Sequence, residues 1–324
     1  MTLQIGMIGT GWFGRMHAEK LAKLEDVNVA AFTATTQEKA EAAARQHKDA
    51  RGFASIHDML DSRKLDAVYI CVPPFAHGEI ESALIERDIP FLVEKPIGID
   101  EELPAALLRG IRDKSLITSV GYHFRYMDGT ERAKELLRDR TLGMALGYWM
   151  GDMPGVYWWR SMQESGGQFV EQTTHIVDLL RYTAGEVKEV YAAYGDRIVS
   201  GSTEGVTVPD VGSVTLKLAS GAIATISNTC SIPAGSHSGL HLYTSSGVME
   251  LSSGGLIDKE TGRTTEYKNK TNPYDAENDA FLHAVRTGDT SRIRSDYEDA
   301  WMTHRVTMAA NVSARTGLPV TIEL

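Results

Sequence analysis

The chain has 324 residues, enough for about two domains of average size, and its 33 Lys and Arg against 43 Asp and Glu leave a net charge of −10. No basic arm stands out, which argues against a nucleic-acid surface, and 42% hydrophobic with 23% charged residues argues against disorder. Two cysteines, Cys71 and Cys230, exclude a disulfide scaffold and point to a reducing, cytoplasmic setting, and no apolar run is long enough to span a membrane. The first residues lack a basic stretch followed by a long apolar one, so no signal peptide is expected.

Leu3 to Gly9 is a short apolar run that reads as a strand buried on both faces. Met16, Leu21 and Leu24 then recur at helical spacing, predicting a helix over about 11–24. The alternation continues with a strand at 28–33, a helix at 36–47, a strand at 67–72, a helix at 75–87, a strand at 90–93, a helix at 100–114 and a strand at 116–121. Short apolar runs alternating with helices predict a doubly wound parallel sheet of the Rossmann type over residues 1–120. From Gly121 the pattern changes. Runs rich in Val, Ile, Thr and Tyr at 187–196, 211–218, 222–231, 239–243 and 247–251 are split by Gly, Ser and Asn turns. No helix of useful length separates them, so residues 121–324 read as an α+β domain with a large, mainly antiparallel, open-faced sheet. The stretch 198–209 reads as a mobile loop.

Gly9-Thr10-Gly11-Trp12-Phe13-Gly14 follows the first strand and opens the first helix, the context that gives a GxGxxG its meaning. Gly9 permits a tight turn, Gly11 lets the backbone approach a pyrophosphate, Gly14 lets helix and strand pack closely, and the helix N-terminus suits phosphates. The predicted ligand is NAD or NADP. Where an acid holding the adenosine ribose is usual, the second strand ends in Ala34-Thr35-Thr36. The missing acid leans toward NADP, although no arginine stands there to grip a phosphate; the two hydroxyls suit either ribose or simple capping of the next helix.

Val93-Glu94-Lys95-Pro96 places charged side chains at a strand's carboxyl end. With the glycine fingerprint, this Glu-Lys-Pro resembles the Gfo/Idh/MocA family of NAD(P)-dependent oxidoreductases, and the resemblance runs over essentially the whole chain. Val72-Pro73-Pro74 through His77 looks like the family's loop on the nicotinamide side, with His77 as scaffolding. Gly121 through Tyr126 looks like its crossover to the second domain, Glu171 through Leu180 like its catalytic helix, and 278–320 like its closing helices and last strand, some of which are expected to pack back on the first domain. The resemblance implies a cis Lys95–Pro96 bond, a homodimer or homotetramer built through the open sheet, and a polyhydroxylated small-molecule substrate.

Glu171 and His175 are four apart and Asp178 lies three further on, so on one helix all three share a face. Alone, that spacing reads as a surface ion pair; the resemblance makes His175 the general acid/base, oriented by Glu171. The family usually has Asp where Glu171 stands, which puts a direct substrate contact by Glu171 in doubt. Lys95 would polarise the reacting oxygen or share its proton. His123, Arg125, Tyr157, Trp159 and Arg160 are substrate-binding candidates, since aromatic faces and arginine forks suit a polyol ring; Trp158, Tyr274 and His237 are weaker ones. His17, His47, His57, His283 and His304 read as ordinary histidines, and no metal is assigned. The expected reaction is hydride transfer between NAD(P) and a carbinol or carbonyl carbon of a sugar, polyol or inositol-like compound. The alternatives are a non-catalytic NAD(P)-sensing regulator and a glycosidase that cycles bound NAD.

Overall fold

The computed structural model describes every residue except Met1 and Ser200. In chain order the N-terminal part runs β1 (Leu3–Ile8), α1 (Trp12–Leu21), β2 (Val27–Thr33), α2 (Gln37–Ala44), β3 (Arg51–Phe53), α3 (Ile56–Ser62), β4 (Ala67–Ile70), α4 (Glu79–Glu86), β5 (Phe91–Val93), α5 (Glu102–Lys114) and β6 (Thr118–Val120). The strands stand in the order β3-β2-β1-β4-β5-β6, and every neighbouring pair is parallel. This is the doubly wound order that reverses between β1 and β4 and opens a crevice at the strands' carboxyl ends. β4, β5 and β6 are buried at every residue, as strands covered on both faces must be.

Two features of this sheet escape periodicity. β3 and α3 were not expected: Arg51-Gly52-Phe53 is a three-residue, partly exposed edge strand with no apolar alternation to announce it. The helix expected over 75–87 is broken in two. A 3₁₀ turn spans Pro74–Ala76, and α4 begins only after Gly78, whose φ of +119° no continuous helix tolerates.

The chain continues with α6 (Asp128–Leu137), β7 (Leu142–Met150), α7 (Met162–Ser165), α8 (Gln168–Glu171), α9 (Thr174–Ala184), β8 (Val187–Gly195), β9 (Val211–Leu218), β10 (Ile223–Thr229), β11 (His237–Thr244), β12 (Gly247–Ser252), β13 (Gly255–Glu260), β14 (Arg263–Lys268), α10 (Pro273–Thr287), α11 (Tyr297–Thr316) and β15 (Val320–Thr321). Two compact units result. One holds Met1–Gly98, Glu102–Gly121 and Tyr274–Asp299; the other holds Ile99–Glu101, Tyr122–Pro273 and Ala300–Leu324. The chain thus returns to the first unit with α10, where Phe281 and Leu282 join the core of Ile5, Met7, Leu21 and Leu92.

The second unit carries a nine-stranded sheet, β14-β13-β12-β11-β7-β10-β9-β8-β15, antiparallel at every described pair except β7–β10. β7, β13 and β14 were not expected. β7 has no β-branched residue and two glycines, and β13 and β14 are rich in charge. One face packs on α9: Val214, Leu216, Ala224, Ile226, Leu240 and Leu242 meet Ile176, Leu179 and Leu180. Gly147 makes the approach possible, since a Cβ there would lie 2.6 Å from Ile176 Cγ2. The other face is open and leaves Met144, Leu146, Tyr191 and Ile223 exposed.

The stretch expected to be a mobile loop is tied down at its start; Ser200 lies outside the described residues. The buried carboxylate of Asp210 accepts from the backbone N–H groups of Arg197, Ile198 and Val199 at 2.6 to 3.1 Å. Burial pushes the Asp210 pKa up, but these bonds outweigh it and hold the acid below its ordinary value. Its stabilising effect is therefore present above the unfolded value of about 4 and is lost as pH falls through the lowered native value. Asp210→Ala is expected to cost about 1–3 kcal/mol at neutral pH in denaturant unfolding. The gap between variant and wild type closes below about pH 4; a gap unchanged in acid would contradict this account.

Candidate active site

In the first unit the glycine turn is shaped by close approach. Gly9 has φ +94°, and a Cβ on it would lie 2.2 Å from the Cys71 carbonyl oxygen. A Cβ on Gly14 would lie 2.0 Å from the Gly9 oxygen. Gly11, the N-cap of α1, faces no protein atom within 4 Å of an added Cβ and has no side-chain cap. The first N–H groups of a ten-residue helix are thus open beside backbone that a ligand can approach, which fits a dinucleotide pyrophosphate. Trp12 is exposed, and its ring meets Phe13 edge-on at 4.8 Å. Lys95 Nζ is 6.0 Å from the Phe13 ring centre.

At the tip of β2, Thr36 caps α2: its hydroxyl accepts from the Lys39 N–H. Lys39 Nζ donates to Thr35 Oγ1 at 3.2 Å. An ammonium therefore stands beside Thr35 that reading the strand tip alone missed, because it sits one helical turn further on.

After β4, Val72 and Pro73 lead into the 3₁₀ turn, with Pro74 buried. The His77 side chain is buried; its Nδ1 lies 2.6 Å from Glu81 Oε1, and Glu81 Oε2 accepts from the Gly78 N–H at 2.6 Å. Burial raises the Glu81 pKa, but His77 and the N–H bonds more than offset it and hold the carboxyl low. His77 and Glu81 thus lock the loop's entry into α4.

After β5, the Lys95–Pro96 bond is cis. Lys95 is largely buried, and Glu94 is turned inward: Oε1 lies 3.1 Å from His17 Nε2, and a Cβ on Gly121 would lie 2.5 Å from Oε2.

In the second unit the single helix face expected for Glu171, His175 and Asp178 does not exist. α8 ends at Glu171, the chain leaves the helix at Gln172 and Thr173, and α9 starts anew. Glu171 Oε2 instead accepts from Trp159 Nε1 at 2.7 Å. Asp178 accepts from Nε and Nη2 of Arg125 at 2.8 and 2.6 Å and from Thr303 Oγ1 at 2.8 Å. Four-residue spacing puts residues on one face only while the helix continues.

His175, in the first turn of α9, lies in an aromatic slot. It stacks on Phe124 at 5.1 Å and Trp149 at 5.7 Å, and meets His123 and Tyr122 edge-on at 4.9 and 6.0 Å. The substrate-binding candidates separate accordingly. Trp159 is fully buried against Val199, Val208 and Cys230, so it offers Glu171 a donor and no open face. Arg125 is buried with its fork on Asp178. Tyr157 is exposed, and the Arg160 guanidinium lies 5.8 Å from its ring centre. His237 is exposed on β11, and Tyr274 belongs to the first unit, 6.5 Å from Phe13. Among the described residues no cluster of three or more His, Cys, Asp and Glu side chains is placed to hold a metal, and no helix is long and apolar enough to cross a membrane.

Comparison with known proteins fits this geometry. Residues 3–122 match an oxidoreductase family with an NAD-binding Rossmann fold, and residues 130–250 match the C-terminal domain of the same GFO/IDH/MocA group. The chain belongs to the Gfo/Idh/MocA family of oxidoreductases. It is 24% identical to the oxidoreductase YrbE of Bacillus subtilis, over 100% of this chain and 98% of that one. It is 25% identical to an NADP(+)-dependent D-xylose 1-dehydrogenase of Haloferax volcanii, over 99% of this chain and 100% of that one. The solved myo-inositol dehydrogenase of Lactobacillus casei, in complex with NAD(H) and myo-inositol, superposes with a TM-score of 0.83 at 21% identity, over 100% and 98% of the two chains.

The assignment of Arg125 to the core is open to measurement. Arg125→Met removes the bidentate partner of a buried carboxylate and is expected to cost about 3–5 kcal/mol in denaturant unfolding. A cost under about 1 kcal/mol, the range of a surface pair, would contradict it.

Proposed function

We propose that the protein is an NAD(P)-dependent dehydrogenase or reductase acting on a CH–OH or carbonyl carbon of a sugar, polyol or inositol-like substrate. The observation that carries the reading is Lys95 at the carboxyl end of β5, in a family of oxidoreductases. A regulator that only senses the cofactor needs no proton-handling lysine there. The bound nicotinamide supplies or accepts the hydride. The chain's own residues bind the cofactor and manage the proton on the reacting oxygen.

The turn from Gly9 to Gly14 and the α1 N-terminus hold the pyrophosphate in this reading. His175 is the general acid/base; its packing against Phe124 and Trp149 limits the ring's rotation. Lys95 polarises the reacting oxygen or shares its proton. Glu171, held by the Trp159 indole, is the candidate carboxylate for a substrate hydroxyl. His123, Tyr157 and Arg160 are the remaining polyol contacts; Arg125 is not. The exposed apolar residues on the open sheet support pairing of two or four copies through that face.

NADP is the favoured cofactor. Ala34 puts no carboxylate at the β2 tip, and Lys39 puts an ammonium beside Thr35. By fluorescence titration, Lys39→Ala should weaken NADPH binding about two- to fivefold with little effect on NADH. Ala34→Asp should weaken NADPH further. Equal losses for both cofactors would refute the preference.

With turnover assayed on myo-inositol, D-xylose and D-glucose, His175→Ala and Lys95→Met should each lower kcat by about 10²–10⁴-fold. Wild-type turnover in both variants would overturn the proposal.

A further inference from the structure

His17 read from the sequence as an ordinary helix residue, yet its side chain is fully buried and both ring nitrogens meet distant parts of the chain. Nε2 lies 3.1 Å from Glu94 Oε1, 77 positions away, and Nδ1 lies 3.0 Å from Asn278 Oδ1, 261 positions away. One ring thus joins α1, the end of β5 and α10. Tyr69 packs on it at 5.4 Å from β4, and Tyr274 meets it edge-on at 6.2 Å from α10. The titratable groups that feel the Glu94 charge include Cys71 and Tyr274, and Glu277 acts on both of them. Burial first, then the negative charges of Glu94 and Glu277, push the Cys71 thiol and Tyr274 phenol up, so both stay neutral.

The segment that His17 grips needs a grip. β5 is three residues long, and beyond it the backbone is tied by the Glu94 N–H to the Ile70 oxygen at 2.8 Å, with Gly121 N–H bound to the Val93 oxygen at 2.9 Å. Gly121 leaves the room that the Glu94 carboxylate fills: a Cβ there would lie 2.5 Å from Oε2, so the carboxylate is packed directly against this backbone. A carboxylate this deeply buried must be paired, and His17 is the group that meets it. Lys95 is the next residue. The glycine turn, by contrast, is held by its own close contacts and by the Gly9 N–H to the Thr33 oxygen at 2.9 Å.

We infer that His17 is a positioning residue for Lys95: it holds the Glu94 carboxylate and so fixes the strand end from which Lys95 projects. This rests on the proton-handling role proposed for Lys95. Removing His17 should then disturb turnover far more than cofactor binding.

The test combines H17L, H17Q, K95M and the double variant H17L/K95M. The readouts are turnover on myo-inositol, D-xylose and D-glucose, NADPH affinity by fluorescence, and amide hydrogen exchange over residues 91–97. H17L is expected to lower kcat about 10- to 100-fold and to leave the NADPH dissociation constant within about threefold. H17Q keeps a side-chain donor and should recover most of the loss. In the K95M background H17L should add no further loss, because its effect passes through Lys95. Exchange over 91–97 should quicken in H17L.

Multiplying losses in the double variant, no recovery in H17Q, or a drop in NADPH affinity as large as that in kcat would each overturn the inference. If H17L does not fold, E94Q with His17 intact carries the same test: quickened exchange over 91–97, and no added loss on K95M. The two layers fail separately. Wild-type turnover in K95M refutes the proposed function. Unchanged exchange over 91–97 in H17L refutes the hold of His17 on Glu94, with or without a turned-over substrate.

Discussion

A carboxylate taken out of water must be met by donors, and much of this structure follows from how its buried acids are met. Glu94 is met by His17, Asp178 by Arg125 and Thr303, Glu81 by His77 and the Gly78 N–H, and Asp210 by three consecutive backbone N–H groups. Each acid ties its own segment to another. Asp178 joins α9 to the turn at 123–126 and to α11; Glu94 joins the end of β5 to α1. The acids also sort the polar residues. Arg125 and Asp178 carry charges that suit substrate recognition, but they spend them on each other.

Close backbone approach is the second constraint. Gly14 brings α1 against the Gly9 carbonyl, which sets the helix N-terminus beside the open backbone of Gly11. Gly147 lets Ile176 of α9 settle on β7, and two residues along β7 Trp149 stacks on His175. A methyl group at either glycine would push the helix from the strand and move the functional atoms with it. The positions of the glycine turn and of the candidate acid/base thus follow from packing distances.

The membership of this chain in an oxidoreductase family and its two-part architecture bound its chemistry, and the site residues fall into two kinds. Lys95 and His175 are buried polar groups and are the ones the proposed reaction needs. Trp159 stood as a substrate contact in the sequence reading, and His77 and Glu94 as parts of the cofactor-side motifs; all three side chains are engaged within the protein: Trp159 on Glu171, His77 on Glu81, Glu94 on His17. They hold their neighbours in place. Such support is what keeps a reacting group within the small tolerances that catalysis demands.

Local pattern was enough to reveal the parallel sheet, the tight turn at Gly9, the close packing at Gly14 and the lysine after β5, and it offered the cap at Thr36 as one of two readings, because each depends on near neighbours in sequence: burial on both faces, a tight turn, a helix start, a strand end. β3, β7, β13 and β14 were not legible, since short, glycine-rich or charged strands owe their pairing to partners elsewhere in the chain. The Glu171–His175 face was not legible either: one helix stops at Glu171 and the next starts at Thr174, and Glu171 and Asp178 turn to Trp159, Arg125 and Thr303, partners that spacing does not announce. Pairings across long stretches of chain, His17 with Glu94 and Asn278 above all, leave no periodic trace. Only the folded chain decided them, because the energy of a buried charge depends on what surrounds it in space.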